Sequence, residues 1–231
     1  PAADAFDRLA LIAANIGGQK TDHVITERVE QAIAIDENGF IREQVRLDRE
    51  HQGRSGELFH GANNVEYLRA YVPASTRLVA ADGFQAPAQD LFKRPTEQEE
   101  PFPGLPTTTE TVSFAGQPVD LMEEDGHQVF GGWIQLPPGK ERSTTFSYAL
   151  AKSTADMAQA LAGAGILQGD DAVSDAYVVR LISQPGAPRR HRLQIRYPAA
   201  WRFAAGTSGL QATRAGLLEA DLGPLQRDQL V

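Results

Sequence analysis

The chain has 231 residues, 42% of them hydrophobic and none of them cysteine, which excludes disulfides, thiolate metal ligands and a cysteine nucleophile. Asp and Glu number 30 against 22 Lys and Arg, a net charge of -8, and the basic residues are scattered, so no face able to neutralise phosphates is expected and nucleic acid is excluded as a partner. No apolar run approaches the ~18 to 20 residues of a membrane span, while a chain of this size buries roughly 70% of its unfolded surface and folds without metal or disulfide staples.

The chain begins at Pro1-Ala2-Ala3-Asp4 inside a strand lead-in, which suggests a part of a longer protein whose anchor lies upstream. Asp7 to Ile16 is a short apolar run ending at Gly17-Gly18, read as a buried strand or as a turn and a half of helix, with length favouring strand. From His23 to Ile35 the residues Ile25, Val29, Ile33 and Ile35 share one parity, and Asp36-Glu37-Asn38-Gly39 supplies a turn in which Asn and Gly accept positive φ. The return strand runs from Phe40 to Arg49 with Ile41, Val45 and Leu47 inward. Glu50 to Asn64 reads as a loop, then Val65 to Val72 as a strand with Tyr67 and Tyr71 on one face and Leu68, Ala70 and Val72 on the other, stopped by Pro73. Arg77 to Ala81 is another short strand.

Residues 85–106 are proline-rich with the acidic group Glu97, Glu99 and Glu100, and are expected as a long mobile surface loop. Thr107 to Phe114 and Val119 to Met122 are short strand-like runs. Gln128 to Leu150 contains two strand patterns joined by Pro137-Pro138-Gly139, expected to form a hairpin of a sandwich. Ser153 to Gln168 is alanine-rich, with Ser153 or Thr154 as a cap and Met157, Ala160, Leu161 and Ala164 at helical spacing. Beyond it, Ala176 to Ser183 and Arg192 to Tyr197 alternate like strands. The pattern predicts an all-β chain: an immunoglobulin-like β-sandwich over 1–151, a connector or short helix over 152–174, and a second, smaller β part over 175–231 packed on the first.

Gly17-Gly18-Gln19-Lys20-Thr21 lacks the glycines a phosphate loop needs, and Gly53-Arg54-Ser55-Gly56 and Gly206-Thr207-Ser208-Gly209 are one residue short of a nucleophile elbow. Histidines 23, 51, 60, 127 and 191 stand singly, and His51 with His60, flanking one loop, is the best pair for a metal. Asp36 with Asn38, and Asp170, Asp171 and Asp175, offer oxygens to calcium without the spacing of a cage, and read as turn residues. Glu123-Glu124-Asp125 are adjacent carboxylates that sequence places in a solvated turn rather than across a scissile bond. Trp133, Trp201, Tyr67, Tyr71 and Tyr177 could build a sugar-stacking platform or pack a core; core packing suits Trp133, and Trp201, beside an arginine, is the possible ligand-facing aromatic.

The order of NIGGQKT (Asn15 to Thr21), YLRAYVP (Tyr67 to Pro73), VFGGWIQLPPG (Val129 to Gly139), TTFSY (Thr144 to Tyr148) and SQPG (Ser183 to Gly186) resembles the C-terminal part of the bacterial membrane-anchored family catalogued as domain of unknown function four-zero-one-two. The resemblance implies an extracytoplasmic, cell-surface protein tethered by an N-terminal transmembrane helix upstream of this chain, and implies no activity. The strand order up to Leu150 is also similar to immunoglobulin-like modules of bacterial surface proteins. The expectation is a noncatalytic cell-surface module for protein interaction, assembly or adhesion, with no catalytic, cofactor-binding or metal-ligating set and no cofactor. The alternatives are a carbohydrate-binding module acting on envelope glycans and, behind it, a hydrolytic enzyme domain.

Overall fold

A computed structural model describes residues 6–17, 20–91, 108–166, 173–186, 189–204, 206–207 and 209–231. Its elements are β1 (Asp7–Asn15), β2 (Ile25–Ile35), β3 (Ile41–His51), β4 (Asn64–Pro73), β5 (Arg77–Asp82), β6 (Thr108–Phe114), β7 (Gln117–Glu124), β8 (His127–Leu136), β9 (Glu141–Ala149), α1 (Thr154–Gly163), β10 (Val179–Ile182), β11 (Arg190–Arg196), β12 (Gln211–Arg214), β13 (Leu217–Pro224) and β14 (Gln229–Leu230). The strands make an all-β sandwich of two seven-stranded sheets, in the orders β14-β10-β1-β4-β8-β7-β6 and β12-β13-β11-β2-β3-β9-β5. Most of the expected loop at 85–106, and Asp170 and Asp171, lie outside the described residues.

The first hairpin forms as its pattern dictates, with Val29 opposite Leu47 and Ile33 opposite Glu43 in an antiparallel ladder. Asp36 Oδ1 accepts the N–H groups of Asn38 at 2.9 Å and Phe40 at 3.0 Å, and Gly39 takes φ 75° to close the turn. That carboxylate is spent on the turn.

The segment Gln128 to Leu150 departs from expectation: its arms do not pair with each other. β8 pairs with β4 and β7 in the first sheet, whereas β9 pairs with β3 and β5 in the second. The reason lies in the connection. Pro137 and Pro138 have no N–H to close a hairpin ladder. Gly139 instead donates to His51 O at 2.9 Å, and His51 donates to Lys140 O at 2.9 Å, so the turn is fastened to the end of β3. The two arms then face each other across the core, Phe130 meeting Phe146 and Tyr148 at ring separations of 6.1 and 5.9 Å. Phe84 packs 4.9 Å from Phe146 and occupies the space beside Gly132, where a Cβ would come within 2.3 Å of its ring. Truncating one of these phenyl groups to Ala is expected to cost about 3 to 5 kcal/mol.

Residues 175–231, expected as a small β part packed on the rest, enter both sheets through backbone pairing. β10 lies parallel to β1, with Leu9 opposite Leu181, and β11 lies parallel to β2, with Ile195 opposite Ile33. Leu181, Leu193 and Leu218 join the same buried cluster as Leu9 and Val29. Parallel partners need a crossover connection, and a short segment between them cannot supply one; here the whole of β2 to β9 separates β1 from β10. α1 carries the chain back after β9. Ser153 caps it, accepting from Asp156 N while Asp156 accepts from Ser153 N at 2.8 Å, and Met157 and Leu161 are buried.

Inside the sandwich, Glu43 stands on the inward parity of β3 and is 3% exposed. Its Oε2 accepts from Gln31 at 2.8 Å and from Tyr148 at 3.0 Å. The Tyr177 hydroxyl lies 2.6 Å from Asp7 Oδ2 and 3.1 Å from Glu43 Oε1. One phenol proton cannot serve both carboxyls, so the shorter contact takes it and the Glu43 contact is completed by a proton on Glu43 itself. Burial and the neighbouring Asp7 accordingly raise the Glu43 carboxyl well above its ordinary range. The folded chain thus keeps a proton that the unfolded chain releases near its ordinary value of 4.5, and stability falls as pH rises above that value. Glu43→Gln supplies an amide donor toward Tyr177 and keeps the acceptor for Gln31 and Tyr148. Its melting temperature is expected to exceed the parent's at about pH 8, the gap narrowing toward about pH 4, with a limiting slope of about 1.4 kcal/mol per pH unit; a gap independent of pH counts against the shared proton.

Candidate ligand-binding face

Strand parity sends Leu68, Ala70 and Val72 of β4 into the core and leaves Tyr67, Arg69 and Tyr71 on the outer face of the first sheet. On neighbouring β8, Trp133 stands directly opposite Tyr67, and Gly131 opposite Arg69. Trp133 is therefore half-buried on an outer face and does not pack the core. Its ring meets Tyr67 edge-on at 5.0 Å and 68°. Gly131 is required beside them: a Cβ there would stand 2.4 Å from the Tyr67 hydroxyl oxygen and 2.7 Å from the Met122 methyl carbon.

Acids of β7 fix the two phenols. Tyr67 donates to Asp120 Oδ2 at 2.6 Å and Tyr71 donates to Glu124 Oε2 at 2.6 Å. Burial, the Asp120 hydrogen bond and its charge push the Tyr67 phenol up; burial and Glu124 push that of Tyr71 up to about 12. Both rings therefore remain neutral hydrogen-bonding surfaces throughout the physiological range. Arg69 pairs with Glu124 at 3.2 Å and lies 5.5 Å from the centre of the Tyr71 ring. Tyr71 also meets His127 edge-on at 6.4 Å, and His127 Nε2 is hydrogen-bonded by Arg8 Nη1. The result is a strip across β1, β4, β8 and β7 in which rings alternate with oriented charge.

Glu124, expected in a solvated turn, is thus part of this strip, while Asp125 at φ 49° and Gly126 at φ 74° make the turn. The five aromatics considered together do not assemble. Tyr177 is half-buried, with its hydroxyl turned to Asp7 and Glu43. Trp201 is half-buried in a turn closed by its own N–H to Pro198 O at 2.9 Å, following β11 of the other sheet.

His51 and His60 do not form a metal pair either. His51 Nδ1 accepts Gly53 N–H at 3.1 Å, which leaves Nε2 to donate to Ala62 O at 3.0 Å, so the ring is a neutral pin inside the loop. His60 stacks instead near His23, at 6.3 Å. Asp175 accepts from Thr154 Oγ1 at 2.7 Å and from Ser174 Oγ at 2.8 Å. In the NIGGQKT stretch, the Thr21 hydroxyl accepts from Asn15 Nδ2 at 3.1 Å and from Asn64 Nδ2 at 3.0 Å, a structural use.

A second concavity escaped the sequence reading. A groove of about 980 Å³ has Asp22, Glu27, Arg49, Glu66, Gln184 and Arg189 among its lining residues. Arg49 reaches Glu27 at 2.9 Å and Glu66 at 2.7 Å, and Arg189 reaches the other oxygen of Glu27 at 2.7 Å. The signal available in sequence was parity: Arg49 continues the inward series of Ile41, Val45 and Leu47.

No family model matches the sequence, and no curated protein matches it. Three-dimensional comparison finds an M1 zinc metallopeptidase from Deinococcus radiodurans at 13% identity and TM-score 0.35, covering 85% of this chain and 38% of that one. It also finds a putative nutrient binding protein from Legionella pneumophila subsp. pneumophila str. Philadelphia 1 at 10% identity and TM-score 0.41, covering 97% of this chain and 71% of that one. A two-domain M1 zinc metallopeptidase bound to L-tryptophan matches at 13% identity and TM-score 0.37, over 97% of this chain and 43% of that one. The chain therefore spans about two fifths of the length of these metallopeptidases. At such scores nothing about the site is transferred.

His51→Ala removes both bonds that pin the loop and is expected to cost about 1 to 3 kcal/mol, read as a lower denaturation midpoint with earlier proteolysis at residues 52–63. A rise in the parent protein's melting temperature with stoichiometric zinc that the variant does not show would restore a metal role for this histidine.

Proposed function

We propose that this chain is a noncatalytic binding module whose outer first-sheet face takes an extended glycan. The observation that carries the reading is the Tyr67–Trp133 pair, held half-exposed on the outer sheet face by Gly131 and Asp120. A pyranose ring presents apolar C–H faces and a rim of hydroxyls. Rigid aromatic rings take the former, at little conformational cost, and the fixed carboxylates and guanidinium of Asp120, Glu124 and Arg69 suit the latter. The same acids are engaged by phenols and Arg69, which suits them to positioning a ligand rather than to proton transfer. An extracytoplasmic, cell-surface setting rests on the family resemblance and would place envelope glycans within reach of this face.

The test is affinity electrophoresis and a glycan array that includes envelope-derived oligosaccharides. Trp133→Ala is expected to weaken binding by about tenfold or more, since stacking and buried ring area together contribute over 1 kcal/mol, with Tyr67→Ala in the same direction and Trp201→Ala without effect. Loss of binding only in Trp201→Ala would move the site to the other sheet. No glycan bound by the parent protein would overturn the glycan reading in favour of a protein partner.

A further inference from the structure

Basic residues that are scattered along the sequence are gathered by the second sheet. Cross-strand register on its outer face runs Arg196 of β11, Ala34 of β2, Arg42 of β3, Ala149 of β9 and Arg77 of β5. All three arginines are exposed, and among the described residues their side chains make no ion pair and no hydrogen bond. Toward the other end of the same strands, acids accompany the arginines. Arg46 pairs with Asp48 at 2.8 Å, Arg190 and Arg192 share Asp221 at 3.4 and 3.5 Å, and Arg28 stands in register with Asp48. The row between, Gln194, Ala32, Gln44, Ser147 and Ala80, carries no charge. Of the acids nearby, Asp36 is held by the N–H groups of its turn and Glu219 accepts from Gln194 at 2.9 Å, while Glu37 pairs with no arginine. In a chain of net charge -8, three neighbouring cations left without an acid mark a surface whose counter-charge comes from outside.

We propose that this row binds a linear acidic polysaccharide with one carboxylate per disaccharide, laid across the strands from β11 to β5. Arginines on every second strand stand about 9.5 Å apart, twice the spacing between strands. That is close to the length of a disaccharide in an extended β-linked chain, so each guanidinium meets a carboxylate in its two-pronged geometry. Ala34 and Ala149 keep the ground between the arginines low, which leaves room for the intervening sugar rings. Phe40, 56% exposed and on the same parity as Arg42, offers an aromatic face at the edge of the row. Other polyanions fit less well. Each strand of a nucleic acid duplex carries a charge about every 3.4 Å, far denser than the row. A membrane surface is planar, whereas sheet twist turns successive arginines of the row by about 45°. A linear chain follows that twist. The site lies on the sheet opposite the Tyr67–Trp133 face and does not depend on it.

The probe is a hyaluronan octasaccharide, which carries a carboxylate on every second sugar, titrated calorimetrically at low salt. Saturable binding is expected, weakened about fivefold or more by Arg42→Gln, with Arg196→Gln and Arg77→Gln in the same direction, since each removes a charge-assisted pair. Arg190→Gln changes the net charge of the same face equally but removes an arginine already paired with Asp221, and is expected to leave the affinity within about twofold. Ala34→Glu, which places a carboxylate between two arginines, is expected to abolish binding. All are surface positions, and unchanged melting temperatures verify the fold. Trp133→Ala is expected to have no effect on this probe, which separates the site from the aromatic face. The proposal fails if hyaluronan does not bind, if Arg190→Gln weakens binding as much as Arg42→Gln, or if Trp133→Ala abolishes it. It fails equally if duplex DNA or phosphatidylglycerol vesicles bind through Arg42 more tightly than hyaluronan does at equal ionic strength.

Discussion

Two arginines cross the sandwich at one end and meet on a single carboxylate. Arg49 leaves β3 in the second sheet to reach Glu66 and Asn64 of β4 in the first; Arg189, just before β11, donates to Leu11 O of β1 at 2.5 Å. Glu27 of β2 holds both guanidiniums, one on each oxygen. Each side chain is nearly or largely withdrawn from water, so the pairs are costly to form and costlier to break: removing one partner of a buried pair loses about 3 to 5 kcal/mol, because the remaining charge is stranded. The network fixes where each sheet stands relative to the other. It also brings the C-terminal segment, through Arg189, to the edge of β2 where β11 pairs.

From that constraint the division of labour among the faces follows. The inner faces are filled by one continuous apolar cluster with a second polar island, in which neutral His191 donates to Gln31 at 3.0 Å and Gln31 to Glu43. Burial holds His191 down to about 4, so the island gains stability as pH rises through the interval from about 4 to its ordinary 6.5, opposite in sign to the effect of Glu43. With the interior closed in this way, the side chains that remain accessible include those on the outer face of the first sheet and those lining the groove beside the arginine network. A rigid sheet is a good support for both, since strands hold side chains at fixed spacing and orientation.

What sequence could show follows the length scale of the interaction. Alternation in β2, β3 and β4 is local, so the hairpin turn at Asp36 to Gly39 and the inward Leu68, Ala70 and Val72 were legible. The assignment of β8 and β9 to different sheets was not, because a Pro-Pro-Gly turn suits a hairpin or a sheet-to-sheet crossing equally, and the deciding hydrogen bonds come from His51, far along the chain. The fate of residues 175–231 was hidden for the same reason: parallel pairing with β1 and β2 leaves no turn signal. At the candidate face, Tyr67 and Tyr71 on one parity were visible, but their partners Asp120, Glu124 and Trp133 come from other strands. Arg49 and Glu43 occupied inward positions of an otherwise apolar series, a charge-in-core pattern that single-sequence reading can detect in retrospect.

Native-state hydrogen exchange measures the central claim, that the arginine–Glu27 network joins early and late strands into one cooperative sandwich. The amides of β2, β3, β10 and β11 are expected to exchange through one opening of common free energy, and Glu27→Gln is expected to lower all of them together. Exchange of β10 and β11 through a separate, cheaper opening, while β2 and β3 stay fully protected in the unmutated chain, would contradict it.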